Sequence, residues 1–318
     1  MSEKKTILIT GGTGFLGRNL AVSLKDRYTV ILGARNNKQM LEAGKATGCV
    51  VAPLDVTNIE SVRDVVNEFR PHIIIHAAAT KYVDLSEKYP MECVDINVLG
   101  SQNVARVALD QNVEVVVGIS TDKAAPPVRN MYGMSKAVME KIFCGLDSKA
   151  STQFVCVRYG NVAWSTGSVL PVWKERHAQT NTITVTDPDM RRFFFTVGDA
   201  VKLIETAITH IDELHGRVLS RAMKVARLGD IATTWVQAKG GSVEYTGQRP
   251  GERVDEFLIG DLELPYTEAK KYNDIDHFII TFNQPAVEPV LVCYSTANAI
   301  PMTAVDISDL IVNQPSVR

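Results

Sequence analysis

The segment Ser120-Thr121-Asp122-Lys123, followed by Tyr132 and Lys136, concentrates five side chains able to handle protons: Thr121, Asp122, Lys123, Tyr132 and Lys136. A tyrosine and a lysine four residues apart share one helix face. An ammonium so placed can lower the phenol's pKa and make Tyr132 a base near neutral pH. A Thr-Tyr-Lys set suffices to take a proton from a hydroxyl as its carbon is oxidised. Asp122 and Lys123 are surplus to that task, and an adjacent acid and amine offer a proton donor and acceptor for a second step. A surface ion pair or a turn-forming Asp is the structural alternative for these two.

Other elements must hold such a set against a reacting partner. Gly11-Gly12-Thr13-Gly14-Phe15-Leu16-Gly17 follows a β-branched run and opens a helical pattern, spacing glycines 11, 14 and 17 as GxxGxxG. Glycine there permits positive φ and brings backbone N–H groups close to a pyrophosphate at a helix N-terminus, where the helix dipole favours anions. A dinucleotide is therefore expected. The end of the second strand, where a carboxylate would accept from a ribose 2′-OH, reads Gly33-Ala34-Arg35-Asn36-Asn37-Lys38. With no acid present and Arg35 and Lys38 able to pair a 2′-phosphate, NADP is preferred over NAD. Asp55-Val56, after the third strand, reads as an adenine contact, or for the Asp as a helix N-cap.

Composition narrows the partners. The chain has 318 residues, 45% hydrophobic and 22% charged, with a net charge of −2. This describes an ordinary globular protein without the basic excess that phosphate-backbone binding needs, so nucleic acid is not expected as a partner. Cys49, Cys93, Cys144, Cys156 and Cys293 form no CxxC pair and no cluster with His, which indicates neither a disulfide framework nor a metal site. The N-terminal MSEKKTILIT has no long apolar core of a signal peptide, and the apolar runs are of strand length. A cytoplasmic protein without membrane association is expected.

The runs Thr6-Ile9, Thr29-Leu32, Cys49-Ala52, His72-Ile75, Val113-Ile119 and Phe154-Val157 alternate with amphipathic stretches Ile59-Phe69, Val94-Gln111 and Ser135-Leu146. This cadence predicts an α/β, Rossmann-type doubly wound parallel sheet with helices on both faces. After Tyr159, Gly, Thr, Asn and Pro punctuate shorter elements. The expected division is a dinucleotide-binding domain over 1–162, a helical return over Phe193-Ile211 packing on it (193–212), and a smaller C-terminal substrate-binding lobe from 163–192 and 213–318.

In this order, GxxGxxG, the strand end His76-Ala77-Ala78-Ala79, Asn97 and the Tyr132–Lys136 pair resemble the extended short-chain dehydrogenase/reductase superfamily. Within it, HAAATKYVDLSE (76–87), STDKAAPP (120–127), YGMSKAVMEK (132–141), RYGNV (158–162), GSVLP (167–171), DPDMRRFF (187–194), GQRPGERVDEFLI (247–259) and YSTANA (294–299) are similar to the soluble UDP-N-acetylglucosamine 4,6-dehydratases, including the 5-epimerising (inverting) enzymes of surface-glycan synthesis. The likeness spans almost the whole chain. One departure is an interval one residue longer before the YG step; counting back from Lys136 assigns the tyrosine slot to Tyr132 and Met131 to the inserted turn.

The resemblance implies a UDP-sugar substrate, a retained nicotinamide cofactor held partly by Ala77, Ala78, Ala79 and Asn97, and a homo-oligomer of two or more subunits. It implies that Tyr132, tuned by Lys136 and linked to Thr121, takes the C4 hydroxyl proton as C4 gives up hydride. Lys123 then removes the C5 proton, protonated Asp122 assists departure of the C6 hydroxyl, and hydride returns to C6. Asn161, Val169, Pro171, Arg192, Arg249 and Glu252 match positions near the nucleotide or diphosphate, though each could equally stabilise the lobe, and Lys81 matches a position at the sugar site, with a solvated surface lysine as the commoner alternative. A UDP-hexose 4-epimerase, which needs no Asp-Lys pair, and a non-catalytic dinucleotide sensor are the competing expectations.

Overall fold

The computed structural model describes residues 4–147, 151–249 and 251–317. Its centre is a nine-stranded sheet in the order 267–272, 275–280, 217–221, 153–157, 115–119, 73–76, 6–10, 29–34 and 50–53. From Arg217–Arg221 to Val50–Pro53 the strands run parallel. Ile7 to Ile9, Ile73 to Ile75, Val115 to Val117 and Phe154 to Val157 are buried on both faces, as continuous β-branched runs in a helix-covered sheet should be. Strand order reverses between Thr6–Thr10 and its neighbour Ile73–His76, and a doubly wound sheet opens a crevice at that reversal.

The helix Ile59–Phe69 has the expected bounds, set by the Asn58 side chain accepting from Glu60 and Ser61 N–H groups at its N-terminus. Two expected helices differ. Val94-Gln111 is not one regular helix: a π-helical turn, Asp95–Leu99, joins Pro90–Val94 to Gly100–Asp110. Phe193-Ile211 begins as a strand, Arg191–Phe195, whose aromatic run pairs with Lys224–Arg227 and Asn161–Val162. The helix starts only at Val197, after a Thr196–Asp199 capping box, and buries Ala200, Leu203, Ile204 and Ala207 against the sheet's core.

The lobe boundary also shifts. Arg217–Arg221 lies beside Gln153–Val157 in parallel, and the hairpin Thr267–Tyr272/Ile275–Ile280 adds two antiparallel strands beyond it. Parts of 213–318 expected in the smaller lobe thus extend the central sheet. What remains is a second core around Trp164, Trp173, Ile183, Trp235 and Leu310, with its own short sheets. Among the described residues no helix is long and apolar enough to cross a membrane.

Candidate active site

A cleft of about 960 Å³ runs from the glycine loop to the second core. At one end Gly11 and Gly14 lead into the helix Phe15–Leu24, which holds Gly17 in its first turn; its N-cap Gly14 makes no side-chain cap and its first turn carries no acid. A Cβ on Gly11 would stand 2.8 Å from the Ala78 Cα, and Gly11 has φ +67°; a Cβ on Gly17 would stand 2.5 Å from the Gly12 carbonyl. Gly11 therefore lets the Ala77–Ala79 strand end close onto the loop, while Arg18 Nε braces the loop by donating to the Thr13 carbonyl at 2.7 Å. A dinucleotide's pyrophosphate fits this bare, uncapped helix end.

Thr13, Phe15, Leu16, Val56 and Arg35 also line the cleft. Lys38 does not: Asn36 caps the next helix by accepting from the Gln39 N–H, so positions 36 and 39 face the cleft and 38 turns to solvent. Asp55 is neither cleft wall nor N-cap. Its Oδ1 accepts from the Thr57 N–H and hydroxyl at 3.0 and 2.8 Å, Asn58 takes the cap, and Arg35 lies 4.0 Å from Asp55 Oδ2.

Asn97 is buried behind the wall. Its Oδ1 accepts from the Thr80 N–H at 2.9 Å, and its Nδ2 donates to the Thr80 carbonyl and to Ser135 Oγ at 3.0 and 2.9 Å. It pins the loop after Ile73–His76 to the helix Met131–Asp147, rather than facing a ligand. His76 is equally internal, its Nδ1 2.8 Å from the Thr10 hydroxyl and its Nε2 3.0 Å from Ser101 Oγ. Burial, then the nearby Lys136, push its pKa down to about 3.

At the middle of the cleft, Met131–Asp147 presents Tyr132 and Lys136. Glu87 accepts from the Met131 N–H at 2.7 Å and Asn130 Oδ1 from the Gly133 N–H at 2.7 Å, so two side chains start the helix where the extra residue enters. Gly133 sets the convergence: a Cβ there would stand 2.2 Å from the Lys123 carbonyl oxygen. The 3-10 turn Asp122–Ala124 thus rests directly on the first turn of the helix.

Lys123 Nζ lies 3.0 Å from Asp122 Oδ1, which also accepts from the Thr121 hydroxyl at 2.9 Å. Thr121 and Lys123 line the cleft. Asp122 is fully buried just behind the wall, and its Oδ2 has no hydrogen-bond partner among the described residues. That oxygen faces the cleft residue Gly160, where a Cβ would stand 3.2 Å from it. A buried carboxylate oxygen left without a donor is a place for one from outside the chain.

Lys136 is 2% exposed, and burial pushes its pKa down to about 8 against the opposing pull of Cys156, Glu140 and Cys93. The sequence led to an expected fall in the Tyr132 pKa. In the structure it rises instead, because desolvation outweighs the hydrogen bond from Thr121 and nearby Asp122 adds to the rise.

At the far end, Asn161, Val169, Arg192, Arg249, Glu252 and Lys81 all reach the cleft. Pro171 does not; Val169, Val172 and Trp173 form that wall, one helical face of Val169–Thr180. Arg192, 7% exposed, is oriented by bonds from its Nη1 to the carbonyls of Arg191 and Val254. Glu252 accepts from the Arg249 N–H at 2.8 Å, closing the turn that carries both. The sequence reading missed Tyr82, Tyr159 and Thr184 to Thr186, which also line the cleft. Gly167 was a signal for Tyr82: it has φ +74°, and its absent Cβ leaves room for the Tyr82 ring, 2.5 Å away.

Residues 7–278 match the family described as "Polysaccharide biosynthesis protein". The chain is 33% identical over 308 residues to the capsular polysaccharide biosynthesis protein CapD of Staphylococcus aureus, covering 90% of this chain and 51% of that protein; it spans about half the length of that relative. It is 31% identical to a UDP-N-acetylglucosamine 4,6-dehydratase (inverting) of Campylobacter jejuni, covering 86% of this chain and 83% of that one. It is also 32% identical to a UDP-glucose 4-epimerase of Rickettsia bellii, covering 84% and 81%. The solved structure of Pen from Bacillus thuringiensis superposes with a TM-score of 0.88 at 27% identity, covering 98% of this chain and 97% of that one. The chain therefore belongs to the polysaccharide biosynthesis protein family, on an extended short-chain dehydrogenase/reductase fold.

Proposed function

We propose that this protein is an NADP-dependent nucleotide-sugar dehydratase that converts UDP-N-acetylglucosamine to a UDP-4-keto-6-deoxy sugar. The observation that carries this reading is the Asp122–Lys123 pair, seated on Gly133 beside Tyr132. A 4-epimerase needs only a hydroxyl base and a hydride carrier, whereas loss of water across C5–C6 needs a base and an acid in addition. The 31% identity with a named 4,6-dehydratase supports it, and the lack of an acidic residue in the segment 33–38 at the end of the second strand supports NADP.

When bound, the dinucleotide supplies the hydride acceptor at C4, the donor at C6 and a positive ring that favours a phenolate beside it. Tyr132 takes the C4 hydroxyl proton, oriented by Thr121. The resulting ketone acidifies the C5–H bond. For the next step the pair must stand as a neutral acid and amine, with the proton on Asp122 and not on Lys123. From the neutral arrangement Lys123 takes the C5 proton and Asp122 gives its own to the departing C6 hydroxyl, which leaves as water. The pair ends as the ion pair. Arg192 and Arg249 suit the diphosphate through bidentate, charge-assisted bonds, with Lys81, Asn161, Val169 and Glu252 completing the sugar and nucleotide wall.

The 32% identity with a named UDP-glucose 4-epimerase favours epimerisation as the second reading. Mass spectrometry after incubation with UDP-N-acetylglucosamine in heavy water separates the two. Loss of one water with one deuterium gained at C5 is expected, and a product of unchanged mass, with NADP+ supplied, refutes the dehydratase.

A further inference from the structure

Behind the cleft lies a buried ionic cluster that the reaction as described does not use. Arg158, at the end of Gln153–Val157 and 0% exposed, spends all five guanidinium N–H groups inside the protein. Nε and Nη2 donate to the two oxygens of Glu140 at 3.0 and 2.6 Å, Nη1 and Nη2 to the two oxygens of Glu263 at 2.8 Å each, and Nη1 also to the Leu258 carbonyl at 3.0 Å. Glu140 Oε1 further accepts from the Ser120 hydroxyl at 2.5 Å. One cation against two carboxylates leaves the cluster one negative charge in excess, in a region where burying unbalanced charge is expensive.

The balancing charge stands one turn away. Glu140 follows Lys136 by four residues on the same helix, hence on the same face. The ammonium of Lys136 donates to Met139 Sδ at 3.6 Å, and the titratable groups around it are Tyr132 and Glu140 on its own helix, His76 and Cys156 from neighbouring strands, and Cys93 from Pro90–Val94. Glu140 is the one carboxylate among them, and it is itself 1% exposed. It touches Ser120, the residue before the Thr121-Asp122-Lys123 segment, so one side chain ties both halves of the catalytic set to the Arg158 clamp.

We propose that Glu140, locked by Arg158, is the positioning residue of this site: it supplies the counter-charge that retains the Lys136 ammonium in a desolvated wall and fixes the Ser120 end of the Asp-Lys turn. It is not among the residues that line the cleft. The role of Lys136 in turnover rests on the dehydratase reading, but the electrostatic coupling does not.

The test follows Lys136 directly. In protein labelled with 13Cε-lysine, the resonance absent from Lys136→Met is titrated against pH in wild type, Glu140→Gln and Glu140→Asp. The Gln variant should move its midpoint about one pH unit lower, the small end of the effect of removing an adjacent opposite charge, and the Asp variant should largely restore it. The alkaline limb of UDP-N-acetylglucosamine turnover should move by the same amount. A folded Glu140→Gln protein with an unmoved Lys136 midpoint overturns the proposal. If the midpoint moves as expected while no variant, nor wild type, turns over the sugar, the dehydratase reading fails and the coupling stands. Should Glu140→Gln not fold, Glu263→Gln removes charge from the far end of the clamp and must shift the midpoint the same way by less; no shift overturns the proposal.

Discussion

Lys136→Met should stabilise the dinucleotide-free protein at neutral pH while removing its activity. Lys136 is 2% exposed, and burial brings its pKa from 10.5 to about 8. Below pH 8 the lysine is charged in both folded and unfolded chains, and the folded state then bears the full penalty, about 3 kcal/mol at 1.36 kcal/mol per pH unit. Between pH 8 and 10.5 the unfolded chain binds the extra proton, so wild-type stability rises with pH and the penalty fades. Above pH 10.5 both states are neutral and the penalty is gone. Methionine keeps the length and apolar stem without the charge. At pH 7 the variant should gain about 3 kcal/mol, or about 5 °C in Tm for a chain of this size, and the gain should shrink towards zero by pH 10.5. Urea unfolding of both proteins at pH 7, 8.5, 9.5 and 10.5 measures it. A gain that does not change with pH, or a destabilised variant at pH 7, refutes the reasoning, because only the titration of a buried charge produces that slope.

Gly133→Ala should lift the Asp122–Ala124 turn from the helix, since its Cβ would meet the Lys123 carbonyl oxygen at 2.2 Å. About 1–3 kcal/mol of stability and about 100-fold in turnover should be lost. Gly145→Ala on the same helix, with open space around its Cβ, is the control and should be neutral or slightly stabilising in urea unfolding. Asp122→Asn and Lys123→Ala should each reduce water loss by about 10²–10⁴-fold with dinucleotide affinity unchanged by calorimetry; unimpaired turnover would remove both residues from the mechanism. Arg35→Ala should weaken NADP+ by about ten- to a hundredfold and leave NAD+ unaffected, the loss of one charge-assisted contact. Equal effects on both dinucleotides would remove Arg35 from 2′-phosphate recognition.

The elements that rest on local pattern were legible in the residues. Continuous β-branched runs such as Ile73 to Ile75 can satisfy themselves only in a sheet covered on both faces, and Asn58 ahead of Ile59–Phe69 marks a helix start. GxxGxxG and the four-residue Tyr132–Lys136 interval carry their geometry within one turn of chain. Tertiary structure decided whatever depends on two distant segments meeting. Aromatic Phe193 to Phe195 reads equally as helix or strand until Lys224–Arg227 and Asn161–Val162 pair with it. That Arg217–Arg221 joins Gln153–Val157 and the 267–280 hairpin joins Arg217–Arg221 is a matter of neighbours 56 to 62 residues apart in the chain, which local periodicity does not encode. Lys38 and Pro171 share motifs with true cleft residues but fall on the wrong helical face, and Asp122 lies behind the wall beside Gly160. The direction of the Tyr132 shift belongs to the same class. Spacing places the lysine near the phenol, but how much water the fold removes from both decides which way the proton is held, and only the packed structure sets that.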